Sequence, residues 1–222
     1  MHGVAADSAI NKFTPRLDPR SVVSSSDREA SILNPVATST WQVDSEMKYS
    51  LVNDNAIDMT FSVTPHADRY PLGYLAFMWA SYMNRTRERR IHFYGEHHGR
   101  CGWLSFGDDS TDRAEGFETG TVSAVGVPDL AYEGGADTLN ILEDPEKKFI
   151  DPFYYGLADG DGDLTTTDDT MVYIMMFDQI EPIRFAMWNF IEDQRGKPDP
   201  HSPAWDWQYD IRSPELGRNY GY

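Results

Sequence analysis

Residues 41–51 read W-Q-V-D-S-E-M-K-Y-S-L, and residues 57–64 read I-D-M-T-F-S-V-T. In both stretches the side-chain character changes with a period of two, the period of a strand rather than a helix. The first places Trp41, Val43, Met47, Tyr49 and Leu51 on one face and Gln42, Asp44, Glu46 and Lys48 on the other. The second sets Ile57, Met59, Phe61 and Val63 inward against Asp58, Thr60, Ser62 and Thr64. Asn53-Asp54-Asn55 between them is a turn signal, so the pair predicts a β-hairpin or neighbouring strands.

The same logic extends along the chain. Residues 73–83, G-Y-L-A-F-M-W-A-S-Y-M, are too aromatic for a comfortable helix and predict a central strand covered on both faces. Short strands follow at 91–95 and 99–106, a buried strand at 171–177, and further strands at 183–190 and 205–211. In the last, Trp205, Trp207, Tyr209 and Ile211 alternate with Asp206, Gln208 and Asp210, which predicts an aromatic core face and a polar open face. No amphipathic helix of four turns is present. The expected fold is therefore all-β: an antiparallel β-sandwich or jelly roll, concanavalin-like, with long acidic loops. Its expected core comprises Val43, Met47, Tyr49, Ile57, Phe61, Leu75, Phe77, Trp79, Phe93, Ile174, Met176, Phe185, Trp205 and Trp207.

Residues 1–38 lack either sustained period and read as an irregular arm with room for one short strand. Residues 39–222 read as one domain, interrupted by an acidic, Gly-rich insertion at about 107–170. Phe117, Val122, Val125, Val127 and Leu130 predict at least one strand inside that insertion, which is too long for a bare hairpin loop. The C-terminal residues Asn219-Tyr220-Gly221-Tyr222 read as the start of a further strand or as an edge that a second copy of the chain would cover.

Within the insertion, residues 159–169 read D-G-D-G-D-L-T-T-T-D-D. Carboxylates this dense repel unless a cation holds them, and calcium is the hard, oxygen-seeking candidate. Asp159, Asp161 and Asp163, with Asp168 or Asp169, are the expected structural ligands. Leu164 and Thr170 stand where a helix-loop-helix calcium site needs glycine and glutamate, so a loop in a β-protein is the better description.

The chain has 36 acidic and 19 basic side chains, for a net charge of -17. That balance disfavours nucleic acid and anionic membrane surfaces as partners, and leaves neutral glycans, small polar ligands and cations. A single cysteine, Cys101, excludes an intrachain disulfide framework. No signal peptide is visible, which suits either a cytoplasmic chain or a mature exported one. No run of about 18 apolar residues occurs.

Three clusters bear chemistry. Glu96, His97 and His98 lie among Tyr94, Arg100 and Cys101 and offer a general acid or base, or imidazole ligands for zinc. On a regular strand His97 and His98 would point in opposite directions, and His92 would share a face with Tyr94, Glu96 and His98. Asp178 and Glu181, beside Arg184, are the alternative carboxylate pair for glycoside chemistry. His66, Arg69 and Tyr70 occupy a loop held by two prolines, and with Arg100, Arg184, Asp206 and Gln208 complete the expected ligand-binding set. With 6 Trp, 12 Tyr and 11 Phe to supply plates for sugar C–H faces, the composition points to an oligosaccharide or polysaccharide in an aromatic-lined groove. A structural or protein-interaction domain without catalysis is the competing reading.

Overall fold

The computed structural model describes residues 17–70, 73–83, 86–107, 120–128, 146–161, 163, 165, 166, 169–188 and 203–222. Among the described residues, fourteen strands form three sheets, and almost all ladders are antiparallel. The chain divides into two compact units: residues 1–77, 132–139 and 210–222, and residues 78–131 and 140–209.

The first unit contains the sheet β1(Ser21–Ser25), β2(Glu29–Asn34), β3(Val43–Asn53), β4(Ala56–Pro65) and β14(Tyr220–Gly221), in that spatial order. The hairpin read from residues 41–64 is present, with Met47 opposite Phe61 and Val43 opposite Pro65. Asn53 closes its turn by accepting the Asn55 amide at 2.8 Å. Trp41, Val43, Phe61 and Val63 are buried, but Ile57 is 64% exposed and Leu51 is also exposed. Alternation fixes the face a residue takes; whether a layer covers it depends on how far along the hairpin the core extends, and here it stops near Phe61. Residues 21–34, expected to be largely irregular, supply two strands whose turn is tied to β3 by Arg28 hydrogen bonds to the carbonyls of Leu51 and Val52.

The second unit contains the sheet β11(Thr170–Met176), β10(Phe153–Asp159), β6(Ile91–His97) and β7(Arg100–Phe106), with β9(Lys147–Phe149) also paired to β6. A third sheet has the order β5(Tyr74–Trp79), β13(Ala204–Arg212), β12(Ile183–Trp188), β8(Gly120–Ser123). Tyr74, Leu75, Ala76 and Phe77 of β5 are buried on both faces as expected, although β5 ends the sheet order rather than lying within it. The chain crosses from one unit to the other within β5 and β13.

In the second unit the inward rings of the two sheets meet. Phe93, Phe149, Tyr154 and Phe177 all lie against Phe185, at centroid distances of 4.1–5.9 Å. Trp205 fills the space over Gly156, where a Cβ would stand 2.5 Å from the indole, so β10 accepts only glycine there. The Trp205 indole N–H donates to the Arg89 carbonyl at 2.7 Å.

Three expectations are corrected. The insertion is richer in strand than its composition suggested: β8, β9 and β10 all lie within 107–170, and Val122 is buried in β8. Phe117 and Leu130 fall outside the described residues. The strand at 171–177 is not buried: Met171, Val172, Ile174 and Met176 are exposed, because β11 is the terminal strand of its sheet. Asp206, Gln208 and Asp210 do not line an open face, being only 2–4% exposed on an interior strand.

Candidate functional site

Strand alternation gives the five-stranded sheet of β11, β10, β6, β7 and β9 two unlike faces. Ile91, Phe93, Tyr154, Ala158 and Phe106 point into the core. The opposite face carries Phe153, Tyr155 and Leu157 from β10, His92, Tyr94 and Glu96 from β6, and Cys101, Trp103 and Ser105 from β7. The register places these side by side, with Tyr155 opposite His92 and Tyr94 opposite Trp103. The edge strand adds Val172, Ile174 and Met176, opposite Leu157, Tyr155 and Phe153.

Trp103 projects on this face from β7, a terminal strand of the sheet, and is 61% exposed. Tyr94, Phe153 and Tyr155 each meet it edge-on at 5.9–6.0 Å, a geometry favoured by the ring quadrupoles, which holds the indole in place without covering it. His92 stacks on Tyr155 at 4.9 Å, and its Nε2 lies 2.5 Å from Glu88 Oε1. Arg90 Nε donates to the other Glu88 oxygen at 2.6 Å. Burial alone would raise the Glu88 carboxyl; the hydrogen bonds and charges of His92 and Arg90 outweigh it, and its pKa lies below the ordinary value. The arrangement is an exposed indole braced by steeply inclined rings, with an ionised carboxylate and an imidazole nearby.

The β6–β7 turn lies at one end of the same sheet. His98 and Gly99 both have positive φ, 50° and 74°, the signature of a two-residue type I′ hairpin between His97 and Arg100. That conformation cancels the alternation expected for adjacent histidines. The two rings stack at 4.0 Å, and each Nε2 lies 3.7 Å from the same oxygen of Glu146. Glu96 stays on β6, opposite Cys101 of β7.

The acidic loop joins β10 to β11. A protein cation already holds it: Arg87 donates from Nη2 to Asp159 Oδ1 at 2.9 Å and to Asp169 Oδ1 at 2.7 Å, and from Nη1 to the Thr166 carbonyl. The Arg87 amide bonds to the Leu157 carbonyl, fixing the guanidinium beside β10. Asp169 Oδ2 accepts the Asp161 amide, and Asp163 Oδ1 accepts the Thr165 amide and hydroxyl. A ligand oxygen from each of Asp159, Asp161 and Asp169 lies within 4.8 Å of the others. The Asp159 side chain is fully buried, and its Oδ2 has no donor among the described residues. Asp168 lies outside the described residues.

The remaining expected residues are dispersed. In the first unit His66 Nε2 is 2.7 Å from Asp44 Oδ2, and Arg69 is half-buried. Tyr70 is a core residue, stacked on Trp41 with its hydroxyl on the Trp41 carbonyl, and burial pushes its pKa up to about 12. In the second unit Asp178 and Glu181 are exposed in the β11–β12 turn, where Glu181 borders an open depression of about 580 Å³ with Val125 and Val127. Arg184 is buried opposite Gln208 and Ser123. Asp206 accepts the Ser81 amide at 2.7 Å, and burial raises its pKa to about 7 against that bond.

Sequence reasoning missed Trp103, Phe153 and Tyr155 as site residues. The signal was available in part: by the two-residue period of a strand over R-C-G-W-L-S-F, Trp103 falls on the Cys101 and Ser105 face, opposite Leu104 and Phe106. Comparison of this chain with models of known families, with curated proteins and with solved structures found no match.

Proposed function

We propose that the protein recognises a neutral glycan on the open aromatic face around Trp103. The observation that carries the reading is an exposed indole fixed edge-on by three further rings on one face of a sheet. Such a plate suits the C–H face of a pyranose, while Glu88, His92 and Glu96 offer hydroxyl partners at its border. Net charge of -17 favours an uncharged polysaccharide over a polyanion. The ring contacts between the second and third sheets support the finer description of the second unit as a jelly-roll-like sandwich.

Catalysis by Glu96, His97 and His98, or by Asp178 and Glu181, has less behind it than binding. Asp178 and Glu181 are both solvent-exposed, in the turn between β11 and β12. The reading includes a structural calcium ion at Asp159, Asp161 and Asp169, supported by the donorless, buried oxygen of Asp159. Asp163, turned toward Thr165, stands at its margin.

The test is a titration of neutral oligosaccharides against the full chain and Trp103→Ala. Truncating an aromatic anchor costs about 2 kcal/mol or more, so the expected loss is at least roughly thirtyfold in affinity. A screen without binding, or binding that Trp103→Ala leaves unchanged, overturns the reading. The exposed row Val172, Ile174 and Met176 along an edge strand favours a second one, in which another chain, a second copy included, docks on β11. That reading gains if glycans are silent and Ile174→Lys abolishes a concentration-dependent rise in mass.

A further inference from the structure

The β6–β7 turn carries a donor set that neither the glycan reading nor the acidic loop uses. Adjacent histidines on a strand face opposite ways, so bringing His97 and His98 together requires a special backbone. Here His98 adopts φ 50°, in the left-handed region that few residues besides Gly, Asn, Asp and His enter, and the result is two imidazoles stacked at 4.0 Å. Both direct Nε2 toward one oxygen of Glu146, each at 3.7 Å. A ligand nitrogen of each ring and a Glu146 carboxylate oxygen lie within 4.8 Å of one another.

We infer that His97, His98 and Glu146 form a binding site for a borderline divalent transition metal of the zinc type. Ligands bound tetrahedrally at zinc bond lengths of 2.0–2.1 Å stand about 3.3–3.4 Å apart. The two histidine–carboxylate separations exceed that by only a few tenths of an ångström, within reach of a side-chain rotation. Two neutral imidazoles and a carboxylate leave the complex with one net positive charge. The set is also chemically distinct from the all-oxygen loop at Asp159, which suits calcium. Three protein ligands leave a fourth position for water, and all three residues are partly exposed, so metal enters without unfolding and exchanges readily.

The direct test is calorimetric titration of the full chain with zinc chloride, with millimolar calcium present to fill oxygen-only sites. One zinc per chain is expected, with affinity falling tenfold or more in His97→Ala, in His98→Ala and in Glu146→Gln. Cobalt supplies a second readout: its ligand-field spectrum should take the intense tetrahedral form in the wild type and lose it in each variant. Cys101→Ser controls for the exposed thiol on β7 and should leave binding intact. Absence of zinc binding, binding unchanged by the three variants, or binding lost only with Cys101 would overturn the assignment.

Discussion

Asp206 shows how a single polar side chain on an interior strand acquires unusual acid–base behaviour. It is 2% exposed and its one described donor is the Ser81 amide, so burial dominates and raises the carboxyl to about 7 from an ordinary 3.8. A carboxyl raised in the folded state binds more protons folded than unfolded between those values, so its ionisation costs stability as pH climbs through the interval. Asp206→Asn removes the ionisation and keeps a carbonyl oxygen for the Ser81 amide. The variant should match the wild type near about pH 4 and exceed it near about pH 8, by on the order of 4 kcal/mol. Urea midpoints at the two pH values measure this, and a gap that does not widen with pH removes the explanation. Glu88 has the opposite sign: its lowered carboxyl contributes stability above the ordinary carboxylate range, and that contribution fades as pH falls through its folded value.

At the scale of elements, the β10–β11 connection is decided by one residue outside it. Arg87 bridges Asp159 and Asp169, and its own amide is pinned to β10. Arg87→Met keeps much of the stem and deletes the charge, leaving Asp159 buried without its partner; the melting temperature should fall by several degrees, and millimolar calcium should restore part of the loss. Thermal scans with and without calcium check both halves, and a variant as stable as wild type would deny Arg87 the role. Nothing in residues 159–169 names Arg87, because the sequence shows the repelling charges but not which distant cation folds back on them. The same divide runs through the fold. The hairpin at 43–65 was legible because alternation and turn residues are local, whereas the exposure of Ile57 depends on how far along the hairpin the core extends and that of Ile174 and Met176 on which strand ends a sheet. The polar row of β13 was legible as a row, but its burial was not. His97 and His98 were legible as candidates; their convergence was not, since it rests on the positive φ of His98 in a two-residue turn rather than on strand alternation.

Over the whole molecule, 36 acidic and 19 basic side chains leave a surplus of seventeen negative charges on a chain of 25.3 kDa. Some carboxylates are locally balanced, as Glu29 is by Lys48, which lowers its pKa through a side-chain hydrogen bond. The surplus has no such partners to draw on, and compacting it costs self-repulsion that unfolding relieves. Monovalent salt should therefore stabilise the protein: raising sodium chloride from about 0.01 M to about 0.15 M shortens the screening length from roughly 30 Å to roughly 8 Å. The melting temperature should rise across that range and then level off. Glycan binding on the Trp103 face should hardly respond, since stacking of an uncharged sugar on an aromatic plate involves no net charge. Measuring the two side by side separates the contributions of field and plate. If affinity fell with salt in parallel with counterion release, the ligand would be charged and the neutral-glycan reading would fail.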